Sequence, residues 1–236
     1  MNLLLLDKDD LIGVNLAEID GRRRQHILQT LKLARGDKLK AGLINGNTGH
    51  GTIIETGPDR LKIKLDLPDL PAPMLPVTLL LALPRPKMLK RIFQTCAALG
   101  VANIYLVNSF RVEKSYWQSP SLIESAIIEQ LLLGLEQAGT STVPQVKLRK
   151  RFKPFVEDEL ANLAAGTVKL VGQSSSKVSA PVSVNKPVTL AIGPEGGFIP
   201  YEIEMLVERD FAPVSLGERI LRVETAVTAM ISRLYT

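Results

Sequence analysis

Twice between residues 188 and 234 the chain runs a short apolar stretch into a glycine-bearing turn and then into a helical pattern. The first run, Val188 to Ile192, empties into Gly193-Pro194-Glu195-Gly196-Gly197, and a helical pattern starts at Pro200. The second, residues 212–215, empties into Leu216-Gly217-Glu218-Arg219 and is followed by an amphipathic helix from Arg222. Strand, tight turn and helix make the unit of an α/β sheet, where ligands gather at the loops that follow the strands. Glycines at 193, 196 and 197 let backbone amides approach a ligand closely, an anion among others. This local pattern points to a binding site without specifying its ligand.

Ahead of this stretch strands and helices alternate. Strands are read at residues 77–83, 103–107, 145–148 and 168–171, and helices at 87–99, 121–138 and 154–163. The alternation predicts a parallel sheet covered by helices. The helix at 121–138 is apolar around most of its circumference, through Leu122, Ile123, Ala126, Ile127, Ile128, Leu131, Leu132, Leu133 and Leu135. Such a helix must be covered on most sides, either by the core or by a second subunit.

The N-terminal part is of another kind. Strand-like runs at 2–6, 38–44, 51–56 and 61–67 surround a helical turn near 22–33. Asn45-Gly46-Asn47-Thr48-Gly49 reads as a hairpin and Gly57-Pro58-Asp59 as a second turn. Short strands at this spacing predict a small β-barrel. Residues 68–76 hold four prolines and read as a stiff linker. The expected domains are therefore residues 1–70 and 76–236.

Charge narrows the partners. The formal surplus is +5, and residues 76–120 carry six basic groups against one acidic. Arg85, Lys87 and Arg111 belong to this set, which suits either a polyanion such as RNA or a solvated helix face. Arg22-Arg23-Arg24-Gln25-His26 could likewise contact phosphate or simply begin an exposed helix. The single cysteine, Cys96, excludes an internal disulfide and a cysteine-based zinc cluster. His26 and His50 fall on different elements, so no metal is expected. Apolar runs are too short to span a membrane, and the basic start of an export signal is missing, which predicts a cytoplasmic protein without a membrane partner. There is neither a GxGxxG after the first strand of the α/β half nor a Walker A pattern.

IGPEGGF at residues 192–198, Glu202 beyond it, and VSLGERILRVETAV at 214–227 resemble the C-terminal signature of RsmE-type 16S rRNA uridine-N3 methyltransferases of the SPOUT superfamily. Weaker similarity runs through RPKM at 85–88, LGV at 99–101, Arg111, EQAG…VP at 136–144 and RGD at 35–37. The resemblance implies a SPOUT α/β methyltransferase domain with a C-terminal deep trefoil knot, preceded by a small PUA-like β-barrel that binds RNA. It implies S-adenosyl-L-methionine as methyl donor, 16S rRNA or the small ribosomal subunit as partner, and a homodimer.

Residue by residue, the resemblance assigns Ile192, Gly193, Gly196 and Gly197 to one wall of the donor site. Leu216, Gly217, Ile220 and Leu221 form the adenine-side loop, Val171 and Gly172 a third wall, and Thr225 is counted with them. RNA contacts are expected from Arg22, Arg23, Arg24, Arg85, Lys87 and Arg111. Methyl transfer from a sulfonium is an in-line displacement, so positioning dominates. Uridine N3 must lose a proton, and a nearby cation stabilises the resulting anion. Arg222 and Glu224 are the expected catalytic pair; the plainer alternative is a pair capping the last helix. Departures from the family pattern are Thr95 for a lysine, Ala98 for a glutamate, Thr140 for an arginine, and Ile199 where a capping Ser or Thr is usual. The alternative they leave open is a SPOUT methyltransferase acting on a different RNA, or an RNA-binding relative with reduced catalysis.

Overall fold

The structure, a computed structural model, describes residues 2–235. The chain divides into two compact units: the chain up to Pro73 with Leu132–Val143, and Met74–Leu131 with the chain from Pro144 onward.

The first unit is a six-stranded sheet in the order β1-β4-β5-β6-β3-β2. Its strands are β1 (Leu4–Leu6), β2 (Leu11–Gly13), β3 (Leu16–Ile19), β4 (Lys38–Leu43), β5 (Thr48–Thr56) and β6 (Leu61–Asp69). Only the β1–β4 pair is parallel. Alternation along β4 to β6 sends Leu39, Ala41, Ile53, Leu61, Ile63 and Leu65 into one core with Leu4, Leu6, Ile19 and Ile27. The β4–β5 hairpin turns at Asn45, whose φ of 57° lies in the left-handed region that asparagine tolerates. The strand reaches back to Thr48, so this turn is tighter than the five residues expected. β2 and β3 were not foreseen; β2 is exposed at all three residues, which removes the alternation that marks a strand, and β3 alternates over only four residues.

A short helix, α1 (Gly21–Gln25), continues into a wider turn at His26–Thr30. Its arginines are engaged within this unit. Arg22 pairs with the buried carboxylate of Glu136 at 2.9 Å, and Arg23 pairs with Asp10 at 2.6 Å and donates to the Leu5 carbonyl at 3.0 Å. The Asp10 hydrogen bond raises the Arg23 pKa against the opposing effect of burial. Arg24 donates to the Gly57 carbonyl at 2.8 Å. Residues 132–143, expected in the second domain, group here for the same kind of reason. The Glu136 carbonyl accepts the Asn2 and Leu3 amides, and Ser141 bonds both Asn45 and Gly46.

The second unit is a parallel six-stranded sheet in the order β12-β10-β11-β7-β8-β9. The strands are β7 (Leu75–Ala82), β8 (Val101–Val107), β9 (Gln145–Arg149), β10 (Val168–Gly172), β11 (Val188–Ile192) and β12 (Ala212–Val214). The helices are α2 (Pro86–Leu99), α3 (Glu124–Ala138, of which only the part up to Leu131 belongs to this unit), α4 (Phe152–Pro154), α5 (Leu160–Leu163), α6 (Pro200–Val207) and α7 (Val223–Tyr235). β11 is buried along its whole length, as a strand covered on both faces should be. Its one polar residue, Thr189, meets the Thr167 hydroxyl at 2.9 Å.

α2 buries Leu89, Ile92, Phe93, Cys96 and Ala97, one stripe at helical spacing, and ends on Gly100 at φ 76°. α7 buries Val223, Val227, Met230, Ile231 and Leu234 in the same way and packs against α2. The expected helix from 121 begins at Glu124, after a short 3-10 turn at Pro120–Leu122. It is less enclosed than its sequence suggests, since Ile128 is exposed.

Candidate active site

Strand order reverses at β7. β8 and β9 lie to one side, β11, β10 and β12 to the other. Loops leaving the carboxyl ends of strands are where ligands gather in such sheets, and here the cleft lies on the β10, β11 and β12 side of the reversal. The loops after β10, β11 and β12, with the cleft-facing side of α7, enclose a cleft of about 230 Å³.

Nine of the residues expected at a donor site line it: Gly172, Ile192, Gly193, Gly196, Gly197, Leu216, Gly217, Ile220 and Leu221. Two do not. Val171 is fully buried, because it neighbours Gly172 on a strand and points to the opposite face. Thr225 is exposed on α7, where Val223, Ala226 and Met230 take the cleft-facing positions at helical spacing. Gln173, Ser174, Pro194, Glu195, Val214, Ser215 and Arg219 also line the cleft and were not singled out. The α7 residues were legible in the periodicity of the last helix; Glu195 and Arg219 sat unremarked within the two glycine turns.

Backbone geometry explains why the turns need glycine. A Cβ on Gly193 would fall 2.8 Å from the Phe198 nitrogen and 3.0 Å from Gly197 backbone atoms, which cannot move aside independently. Gly217 has φ 111°, outside the range of ordinary L residues. The first turn is then tied down from outside. The Arg85 amide donates to Glu195 Oε1 at 3.0 Å, and the Arg111 guanidinium donates to the Gly196 carbonyl. Glu202 on α6, only 3 % exposed, receives the Phe110 amide at 2.7 Å and the Ile199 amide at 3.0 Å. Its carboxylate thus caps α6 from one side while Ile199 supplies no side-chain acceptor, and Pro200 occupies the first helical position.

The cleft's walls are mixed. Ile192, Leu216, Leu221 and Met230 offer apolar surface, the glycine turns offer backbone donors and acceptors, and Glu195 and Arg219 bring one charge of each sign. Ile220 is 83 % exposed, an apolar side chain held at the cleft without cover. Arg222 sits between two lining residues at the start of α7, where its carbonyl accepts the Ala226 amide at 2.8 Å. It is exposed and has no ion pair among the described residues. Glu224 is half-buried in the first turn of α7, outside the cleft lining, and makes no pair with Arg222.

Arg85 and Lys87 are exposed at the start of α2, and Arg111 is exposed beside the glycine turn. Near Arg85, the Tyr116 hydroxyl donates to Glu113 at 2.9 Å; lost hydration and then Glu113 raise its pKa. Among the described residues no cluster of His, Cys, Asp and Glu could hold a metal, and no helix is long and apolar enough to cross a membrane.

Residues 71–235 match a family model described as an RNA methyltransferase domain. The ribosomal RNA small subunit methyltransferase E of Treponema pallidum is 30% identical over 237 residues, covering 97% of this chain and 88% of that protein. Its counterpart numbered E 1 in Borreliella burgdorferi is 25% identical, covering 97% and 95%. A solved ribosomal RNA small subunit methyltransferase E from Neisseria gonorrhoeae, bound to S-adenosyl methionine, has the same fold. Its TM-score is 0.75 at 22% identity, covering 98% of this chain and 95% of that one.

Proposed function

The chain belongs to the RNA methyltransferase domain family, among the ribosomal RNA small subunit methyltransferases E, and from that premise we propose that it methylates N3 of a uridine in 16S rRNA with S-adenosylmethionine as donor. The observation that carries this reading is the single cleft into which the loops after β10, β11 and β12 converge. Its residues suit the donor. Flat apolar walls accept an adenine ring, close-packed glycine backbone reads polar edges, and Glu195 with Arg219 matches a zwitterionic tail. When bound, S-adenosylmethionine supplies the activated methyl group on a sulfonium.

The chain's own part is positioning and charge. Gly193 and Gly217 hold two turns in conformations that keep backbone groups facing the cleft. Loss of the N3 proton leaves negative charge on the uracil oxygens. The unpaired guanidinium of Arg222, at the positive end of α7, stabilises that charge. Glu224, two residues on in the first turn of α7, orients the base or takes the proton. Arg85, Lys87 and Arg111 on this unit contact RNA phosphate, and Arg22, Arg23 and Arg24 on the first unit do the same while each also bonds within that unit.

The same reading makes the first unit a PUA-like barrel that binds RNA, consistent with six strands around one core. It makes the crossovers among β10, β11 and β12 a trefoil knot, and the protein a cytoplasmic homodimer. Exposed Ile123 and Ile128 at α3 are the apolar surface a partner copy would cover.

Two measurements test the function. Calorimetry should detect S-adenosylmethionine binding; none at millimolar donor sinks the donor assignment. Deleting the gene should abolish N3-methyluridine at one position of 16S rRNA; its persistence, with no second enzyme present, removes the substrate assignment.

A further inference from the structure

The segment after β8 is fixed at four successive residues and yet presents one uncovered ring. Asn108 accepts the Trp117 indole N–H at 2.8 Å and donates its own amide to the Arg149 carbonyl at 2.9 Å. Ser109 is buried, and its carbonyl accepts the Val112 amide at 3.1 Å to close a turn. The Phe110 amide donates to buried Glu202, and Arg111 donates to the Gly196 carbonyl. The backbone at Phe110 is thereby tied to β9 and α6, and the Arg111 side chain ties the next residue to the glycine turn. The Phe110 ring, in contrast, is 79 % exposed and stacks on no aromatic among the described residues.

A single exposed apolar side chain is ordinary on its own. Two things set this one apart. Its backbone is held by a carboxylate that is itself buried, so the ring is carried on a fixed attachment point and no loop has to be ordered when it is covered. It also belongs to a basic stretch of the chain: Arg111 is the next residue, residues 76–120 carry six basic groups against one acidic, and the nearby Glu202 carboxylate is buried and taken up by backbone amides. That charge favours a polyanion over an apolar protein partner. A fixed aromatic face among cations is how single-stranded RNA is held, with phosphates on the cations and a base on the ring.

Resting on the reading of the chain as an RNA methyltransferase, we infer that the Phe110 ring stacks on an unpaired base of the substrate RNA. Arg111, bonded to Gly196, sets that base beside the donor cleft. Phe110 is a positioning residue: it selects and holds RNA without touching the donor.

The test compares wild type with Phe110→Ala, Phe110→Leu and Phe110→Trp. Affinity for a fluorescent single-stranded 16S fragment is read by anisotropy, donor affinity by calorimetry, and mass by sedimentation. Phe110→Ala and Phe110→Leu should weaken RNA binding by about 5- to 150-fold. Phe110→Trp should restore it, and donor affinity and mass should stay as in wild type. RNA affinity within twofold of wild type for Phe110→Ala overturns the inference. So does a fall in mass on sedimentation, which would make the ring a contact between copies. Methyl transfer by wild type is scored separately: its absence counts against the enzymatic reading, while the binding comparison still decides on Phe110.

Discussion

Gly193 shows how narrowly a single position is constrained. A Cβ there would meet backbone atoms of Phe198 and Gly197 at 2.8 and 3.0 Å. Gly193→Ala should therefore lower stability by about 1–3 kcal/mol through forced backbone shifts, and weaken donor binding by tenfold or more. Urea denaturation and calorimetry check both; an unchanged titration would mean that the turn is not part of the donor site. Arg222→Ala should keep donor affinity and lose methyl transfer by about 100- to 1,000-fold, the usual cost of removing one stabiliser of developing charge. Full activity would take Arg222 out of the mechanism. Cys96 gives a pH test of the core. Burial pushes its thiol up to about 12. In the unfolded chain it ionises near 8.5, so above that pH the native state binds more protons than the unfolded one. Stability should then fall as pH rises toward 12, by up to about 1.4 kcal/mol per unit. Cys96→Ala should flatten this part of the profile in urea titrations between pH 8 and 10.

Elements were legible wherever a periodic apolar stripe met turn chemistry. α2 ends on Gly100, and β11 empties into its glycine turn, where the residue pattern puts them. β2 and β3 were not legible, because β2 is exposed along its length and β3 alternates over only four residues, so that pairing with neighbouring strands is what fixes them. The cleft shows the same division. Its glycine turns could be read from sequence, but which face of β10 or α7 turns inward is decided by packing, and this moved Val171 and Thr225 out of the lining. Glu202 was visible only as a motif position after the first glycine turn; its grip on Phe110, far away in the chain, was not. The α6 N-terminus offers a test at this scale. Ile199 has the extended backbone of a cap but no side-chain acceptor. Ile199→Ser should stabilise the fold by about 1 kcal/mol, seen as a higher urea midpoint with an unchanged slope. A lower midpoint would show that the isoleucine's packing outweighs the missing cap.

For the whole molecule, the basic surplus of residues 76–120 should make RNA binding strongly salt-dependent, since each neutralised phosphate releases counterions. Neutralising Arg85, Lys87 and Arg111 together should reduce the slope of log affinity against log salt by about two to three. An unchanged slope would place the RNA elsewhere. Charge patterning left a polyanion and a solvated helix face equally open, and only the motif resemblance pointed to RNA; a knot leaves no mark on local periodicity at all. The central claim is tested most directly by incubating the purified protein with isotopically labelled S-adenosylmethionine and small ribosomal subunits from cells lacking this gene, then mapping the label by mass spectrometry. One methyl group on N3 of a single 16S uridine is predicted. No incorporation, or label on another atom or another RNA, would contradict it.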